Sequence, residues 1–216
     1  MDALRRLLAL LWGGLHRGCQ AHANLIGRFQ FRCFAHYCPE CGAVMQQEIW
    51  EATGEAWRRC PSCGYLAREA KCTRTLLWET GASNGVVTVG KNYLLDAGFH
   101  GSAASSTWYI GLIRDDNYSA LAAGDTMASH AGWEEGDEYT GDRKEWTEGA
   151  AAAGSMTNAS SVDFSINDTE TFKGAFLCDG ATGTACTLYC TALFDEGDRP
   201  CASGYTLQAT YTISLS

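Results

Sequence analysis

The chain has 216 residues, a formal net charge of −9 and 46% hydrophobic residues, which is long enough to bury a substantial core in one or two domains. The charge is divided: residues 1–76 carry ten Lys and Arg against six Asp and Glu (+4), and residues 77–216 carry six against nineteen (−13). An acidic body excludes a nucleic-acid-binding protein overall and leaves only the front third suited to an anionic contact.

Residues 3–15 place Leu4, Leu7, Leu8, Leu11, Trp12 and Leu15 at helical spacing behind Asp2, a suitable N-cap, and Gly13-Gly14 ends or frays the run. Arg5 and Arg6 before an apolar run resemble a signal peptide. The run is short and broken by glycine, however, Asp2 sits in its leading region, and no small-x-small cleavage site follows. It is also too short to span a bilayer, so no membrane contact is expected. Residues 1–29 are therefore expected to form an amphipathic arm whose Leu4, Leu7, Leu8, Leu11 and Trp12 bind a partner; a helix packed on the protein's own next unit is the alternative.

Residues 20–37 alternate in their second half, with Phe29, Phe31, Cys33 and Ala35 on one face and Gln30, Arg32 and His36 on the other, a short strand broken in pattern only by Phe34. It leads into Cys38-Pro39-Glu40-Cys41-Gly42, which Cys60-Pro61-Ser62-Cys63-Gly64 answers. Two such tips supply four thiolates in pairs, the arrangement that tetrahedral zinc requires, and each trailing glycine can take the positive φ of a tight turn. Cys38, Cys41, Cys60 and Cys63 are thus the expected ligands of a structural zinc with no open coordination position, and Cys33 and His36 are bystanders. The competing reading is a set of disulfides in an exported protein. Sites of this kind bind with about 10–16 kcal/mol, enough to fold a short ribbon poor in large apolar residues. Residues 44–50 and 56–59 read as the two strands of the ribbon hairpin, turned at Thr53-Gly54-Glu55, and residues 65–75 close the unit. The zinc ribbon is placed at 30–76.

Seven of the eleven cysteines remain: Cys19, Cys33, Cys72, Cys178, Cys186, Cys190 and Cys201. An odd number cannot pair completely, so reduced thiols packed as small hydrophobes are expected, with disulfides after release to an oxidising medium left open.

Residues 77–216 read as one domain. A short helix is expected over 91–98, the clearest strand over 106–113, and a helical turn within 122–130. Further strands are expected at 145–147, 162–166, 171–177, 187–194 and 205–215; in the last, Leu207, Ala209, Tyr211, Ile213 and Leu215 share a face. Strands at this spacing, split by Gly, Asp and Asn turns, predict an antiparallel β-sandwich, jelly-roll or immunoglobulin-like, and the whole chain is mainly β.

Thr107-Trp108-Tyr109-Ile110-Gly111-Leu112-Ile113, the stretch from Leu121 to Trp133, Phe172-Lys173-Gly174-Ala175-Phe176, Thr191-Ala192-Leu193-Phe194-Asp195 and the closing Leu207-Gln208-Ala209-Thr210-Tyr211-Thr212-Ile213-Ser214 together resemble small structural proteins of tailed bacteriophages. The resemblance covers about residues 87–216. It implies a virion component such as a cement, decoration or fibre-like accessory protein, with coat, portal, neck or tail subunits as partners, homo-oligomerisation in the particle and assembly in the host cytoplasm. It carries no catalytic residues.

The residues themselves make a thin case for an enzyme. Acidic clusters at 115–116, 134–138 and 195–198 lack the spacing of a calcium loop, and His130 beside small residues reads as structural. No metalloprotease or phosphate-loop motif occurs. Two further functions are weighed. One is a host-surface or glycan-binding module that exposes Trp133, Tyr139 and Trp146. The other, less favoured, is nucleic-acid binding through Arg58, Arg59, Arg68, Lys71 and Arg74.

Overall fold

A computed structural model describes residues 25–50 and 55–215. Leu4, Leu7, Leu8, Leu11 and Trp12 of the expected arm therefore lie outside the described residues, as does most of the ribbon turn.

The described chain is mainly β. Its strands are β1 (Leu25–Tyr37), β2 (Gln46–Trp50), β3 (Glu55–Arg59), β4 (Leu66–Arg68), β5 (Thr73–Val86), β6 (Trp108–Arg114), β7 (Glu135–Gly136), β8 (Lys144–Trp146), β9 (Ser155–Thr157), β10 (Val162–Ser165), β11 (Glu170–Cys178), β12 (Leu188–Leu193), β13 (Arg199–Cys201) and β14 (Thr206–Leu215). A 3₁₀ turn at Glu69–Lys71 precedes β5, and helix α1 (Thr88–Phe99) follows it. Among the described residues, no helix is long and apolar enough to cross a membrane.

Eleven of the described strands form one antiparallel sheet in the order β10-β14-β1-β5-β12-β11-β6-β7, with β13 beside β11, β8 beside β6 and β9 beside β14. The bridges Tyr139↔Ile166 and Glu148↔Asn158 join its two ends, so the sheet rolls over a main core, and a second, smaller cluster gathers around Trp133 and Phe176. β2, β3 and β4 form a separate three-stranded sheet.

β1 explains how the two sheets are connected. The expected alternation is present: Phe29, Phe31, Cys33 and Ala35 are fully buried, while Gln30 and Arg32 are exposed. The strand is longer than its pattern, though, because it pairs along its length with β14 on one side and β5 on the other. The expected boundaries at 29/30 and 76/77 therefore fall inside β1 and β5, and the cysteine-bearing unit is an excursion between Tyr37 and Thr73 that begins and ends on the large sheet. A register shift between Cys33 and Phe34 lets β5 carry one extra residue there.

The core forms where the rolled sheet faces itself. Phe29 packs on Tyr211 at 4.2 Å between ring centroids, Phe31 on Phe194 at 4.9 Å and Trp146 edge-on to Tyr211 at 5.3 Å. The Tyr211 hydroxyl accepts from Asn84 Nδ2 at 2.7 Å, so its burial strands no polar group. Helix α1 extends beyond the expected 91–98 because Gly98 does not stop it; His100 and Ser102 close the end by donating to the Asp96 carbonyl. Gly90 lets the helix lie directly on β12, since a Cβ there would fall 2.3 Å from the Tyr189 carbonyl oxygen. Residues 122–130 form tight turns with the bridge Thr126↔Ser129 in place of the expected helical turn.

Phe29→Ala removes a ring from the centre of this core and is expected to cost about 3–5 kcal/mol, a fall of roughly 6–20 °C in thermal midpoint. Gln30→Ala, on the exposed face of the same strand, is expected to shift the midpoint by about a degree or less; calorimetry on both variants checks the pair.

Candidate metal centre

Each Cys-Pro-x-Cys-Gly tip folds into the same turn. The Gly42 amide donates to the Cys38 carbonyl and the Gly64 amide to the Cys60 carbonyl, both at 2.9 Å; Cys38 and Cys60 in turn donate to Ala43 and Tyr65, both at 2.8 Å. Closing these loops puts Gly42 and Gly64 at φ 73° and 74°, where a side chain would be strained. Proline can occupy the second position because the amide it lacks makes none of these bonds.

The two tips bring Cys38, Cys41, Cys60 and Cys63 together with all four sulfurs within 4.8 Å of one another. Neighbouring sulfurs lie 3.4 Å (Cys41–Cys60), 3.6 Å (Cys41–Cys63) and 3.7 Å (Cys38–Cys63) apart. A tetrahedral ion with metal–sulfur bonds of about 2.3 Å has sulfur–sulfur edges of about 3.8 Å, so the four cysteines could hold one metal ion. Cys38 and Cys60 are buried against Met45 and Ala67, and Cys41 and Cys63 face solvent.

The thiols also show why a cation suits this position. Desolvation pushes the Cys60 thiol up, but the Cys63 amide, the Cys41 thiol and the Ser62 amide outweigh it and bring Cys60 down to about 7. At Cys63 the Tyr65 amide lowers the thiol, yet the Cys60 sulfur, burial, and the sulfurs of Cys41 and Cys38 hold it up at about 12. The first proton leaves readily and the last does not, because thiolate charge accumulates in one place; a divalent ion at the centre removes that repulsion.

The small sheet is fastened to the large one by Arg58. Its guanidinium is only 1% exposed and donates to Thr206 Oγ1 at 2.8 Å, the Gly204 carbonyl at 3.1 Å and the Met45 carbonyl at 3.4 Å, with Glu69 Oε1 3.4 Å away. One side chain of β3 thus reaches both the first knuckle and the start of β14. The reading that places Arg58 on phosphates is corrected here, since the group is buried inside the protein. Arg74 lies 3.6 Å from the centroid of Phe34, and Arg68 lies over Trp57 at 5.5 Å. His36 is 1% exposed in the same joint. Burial first, then the charges of Arg58 and Arg74, push it down to about 4, so it is a neutral ring at pH 7 and Glu69 directs its charge to Arg58.

The other candidate residues fall into structural places. Trp133, Tyr139 and Trp146, the aromatic contacts of the glycan-binding alternative, are 2%, 4% and 3% exposed, and burial removes all three from any outer surface. Carboxylates of the acidic clusters are held by cations: Glu134 and Glu138 by Arg114, Glu135 by Arg143, Asp115 and Asp198 by Lys173, and Asp195 by Arg28. Glu135 and Arg143 are bidentate at 2.6 Å. His130 stacks on Trp133 at 4.0 Å, and its Nδ1 lies 3.0 Å from the Thr126 carbonyl oxygen.

No protein-family model and no curated protein matches the chain.

The joint gives a direct expectation. Arg58→Ala leaves buried acceptors on Gly204, Thr206 and Met45 without their donor and is expected to cost about 2–4 kcal/mol. Arg58→Lys restores the charge without the planar fork and is expected to recover less than about half of that loss; urea unfolding of the two variants measures both.

Proposed function

We propose that this chain is a non-enzymatic structural protein of a tailed-phage virion: a cement, decoration or head- and neck-associated accessory. A zinc-braced bracket at its front sets how the rolled sheet is presented. The observation that carries the bracket is the closed set of four sulfurs on a unit fastened to the large sheet by buried Arg58. Zinc is the ion this donor set fits best: four thiolates at tetrahedral spacing satisfy it fully and leave no position for a substrate or a reactive water. Zn²⁺ bound there would supply charge neutralisation and a rigid cross-brace, and Cys38, Cys41, Cys60 and Cys63 would hold it. The virion assignment is supported by the resemblance of residues 87–216 to phage structural proteins, and the large sheet is then a sandwich of the jelly-roll or immunoglobulin type.

Apolar side chains left on the outside support a life in an assembly. Leu95 and Phe99 on α1 are 58% and 89% exposed, and Ile26 and Leu215, where the large sheet meets the segment 1–24, are 53% and 61% exposed. A contact with coat, portal, neck or tail subunits, or with further copies of the chain, would cover them. Leu4, Leu7, Leu8, Leu11 and Trp12 would add an apolar stripe to the same contact.

Imaging purified particles, with the chain's density located and its copies counted against the coat, tests the function. The expected outcome is a fixed stoichiometry at one symmetric position. Particles that are complete without the chain, with the chain free in the lysate, would contradict it.

A further inference from the structure

Six cysteines outside the metal centre are described, and their surroundings differ. The Cys72 thiol points at the Met45 sulfur at 3.4 Å, and Cys190 meets the Tyr211 hydroxyl at 3.4 Å. Cys178 and Cys186 each lie 3.5 Å from Nη1 of Arg143 and donate to the carbonyls of Gly180 and Gly183. Cys178 and Cys186 also contact each other beside that guanidinium; Cys33 and Cys201 face each other with no charged group between them, their sulfurs 3.9 Å apart and both residues fully buried. They are separated by 168 positions in sequence.

We infer that Cys33 and Cys201 are a latent disulfide that closes when the chain meets a small-molecule disulfide oxidant. A bond of about 2.05 Å requires the sulfurs to approach by about 2 Å, a displacement of the size that side-chain torsions supply. Cys33 sits where the β1–β5 register shifts, so the backbone there departs from a regular ladder. Cys201 ends the three-residue strand β13, which pairs with β11 and carries Pro200 in its middle. So short a strand, with one amide missing, opens at lower cost than the long strands around it.

In the reaction, one protein thiolate attacks the disulfide of oxidised glutathione, forming a mixed disulfide and releasing one glutathione thiolate. The second protein thiolate displaces the other glutathione. The two cysteines lose two protons and two electrons, and one glutathione disulfide becomes two glutathione thiols. Contact with Cys33 and burial push the Cys201 thiol far up, so the exchange runs through the opened strand or during folding rather than in the closed core. The product ties β1, which runs directly into the first knuckle, to β13, the short strand beside β11. It closes a long loop in the unfolded chain and so favours the folded one.

The test uses the full chain, metal-loaded, incubated with oxidised glutathione and compared with a sample kept in reductant. After thiol blocking and non-reducing digestion, the expected product is a Cys33–Cys201 linked peptide. The intact chain should lose the mass of two hydrogens, and its thermal midpoint should rise by several degrees. Cys201→Ser, which keeps the size of the side chain, should abolish both the linked peptide and the rise while retaining metal. Recovery of Cys33 and Cys201 as blocked thiols, as separate glutathione adducts or bridged to other cysteines would overturn the inference. Peptides bearing Cys38, Cys41, Cys60 and Cys63 are read separately, so failure of the metal reading cannot be mistaken for failure of this one.

Discussion

A positive charge buried between two sheets is the constraint on which the structure turns. A guanidinium taken out of water is costly unless its donors are met and a counter-charge is near. Arg58 has carbonyl and hydroxyl acceptors for Nη1 and Nη2 on both sides of the joint and Glu69 beside it, while its buried Nε has no partner. Those partners come from the loop after the first knuckle, the 3₁₀ turn and the start of β14, so all three must be in place together. The unit that presents Arg58 has a small core of its own, centred on Met45, Cys38, Cys60 and Ala67. A core of that size cannot hold a buried charge in register without help, and four sulfurs closing on one ion would provide it.

Local features were the legible ones. The paired Cys-Pro-x-Cys-Gly tips announce their chemistry through spacing, and both glycines take the left-handed conformation the turn needs. The last strand was readable because its apolar residues alternate; Leu207, Ala209 and Tyr211 are fully buried, and exposure begins only toward Leu215. β5 was not readable: its fourteen residues include two glycines and few aliphatics, and it is a strand because β1 and β12 pair with it across long sequence gaps. Strand propensity is set by such neighbours more than by the residues themselves.

Charge misled in two places, for one reason. An arginine pair at the end of a hairpin looks like a surface feature, yet Arg58 points inward while Arg59 is exposed. The acidic run at 134–138 suggests a wet loop, but Arg114 and Arg143 gather Glu134, Glu135 and Glu138, and Trp133, Tyr139 and Trp146 are buried. Arg58 finds its acceptors 146 and 148 positions away and Arg114 its carboxylates 20 and 24 away, where a window of sequence does not reach; Arg143 and Glu135 are only 8 apart, but nothing in their spacing marks them as a pair. Several carboxylates of the acidic body are thereby held in ion pairs as well as facing solvent.

Native mass spectrometry of the intact chain, with and without a chelator, tests the central claim most directly. The account requires one zinc ion per chain, with Cys38, Cys41, Cys60 and Cys63 resisting alkylation until the metal is stripped. A metal-free chain in which these cysteines react freely, or are bridged to one another as disulfides, would contradict it.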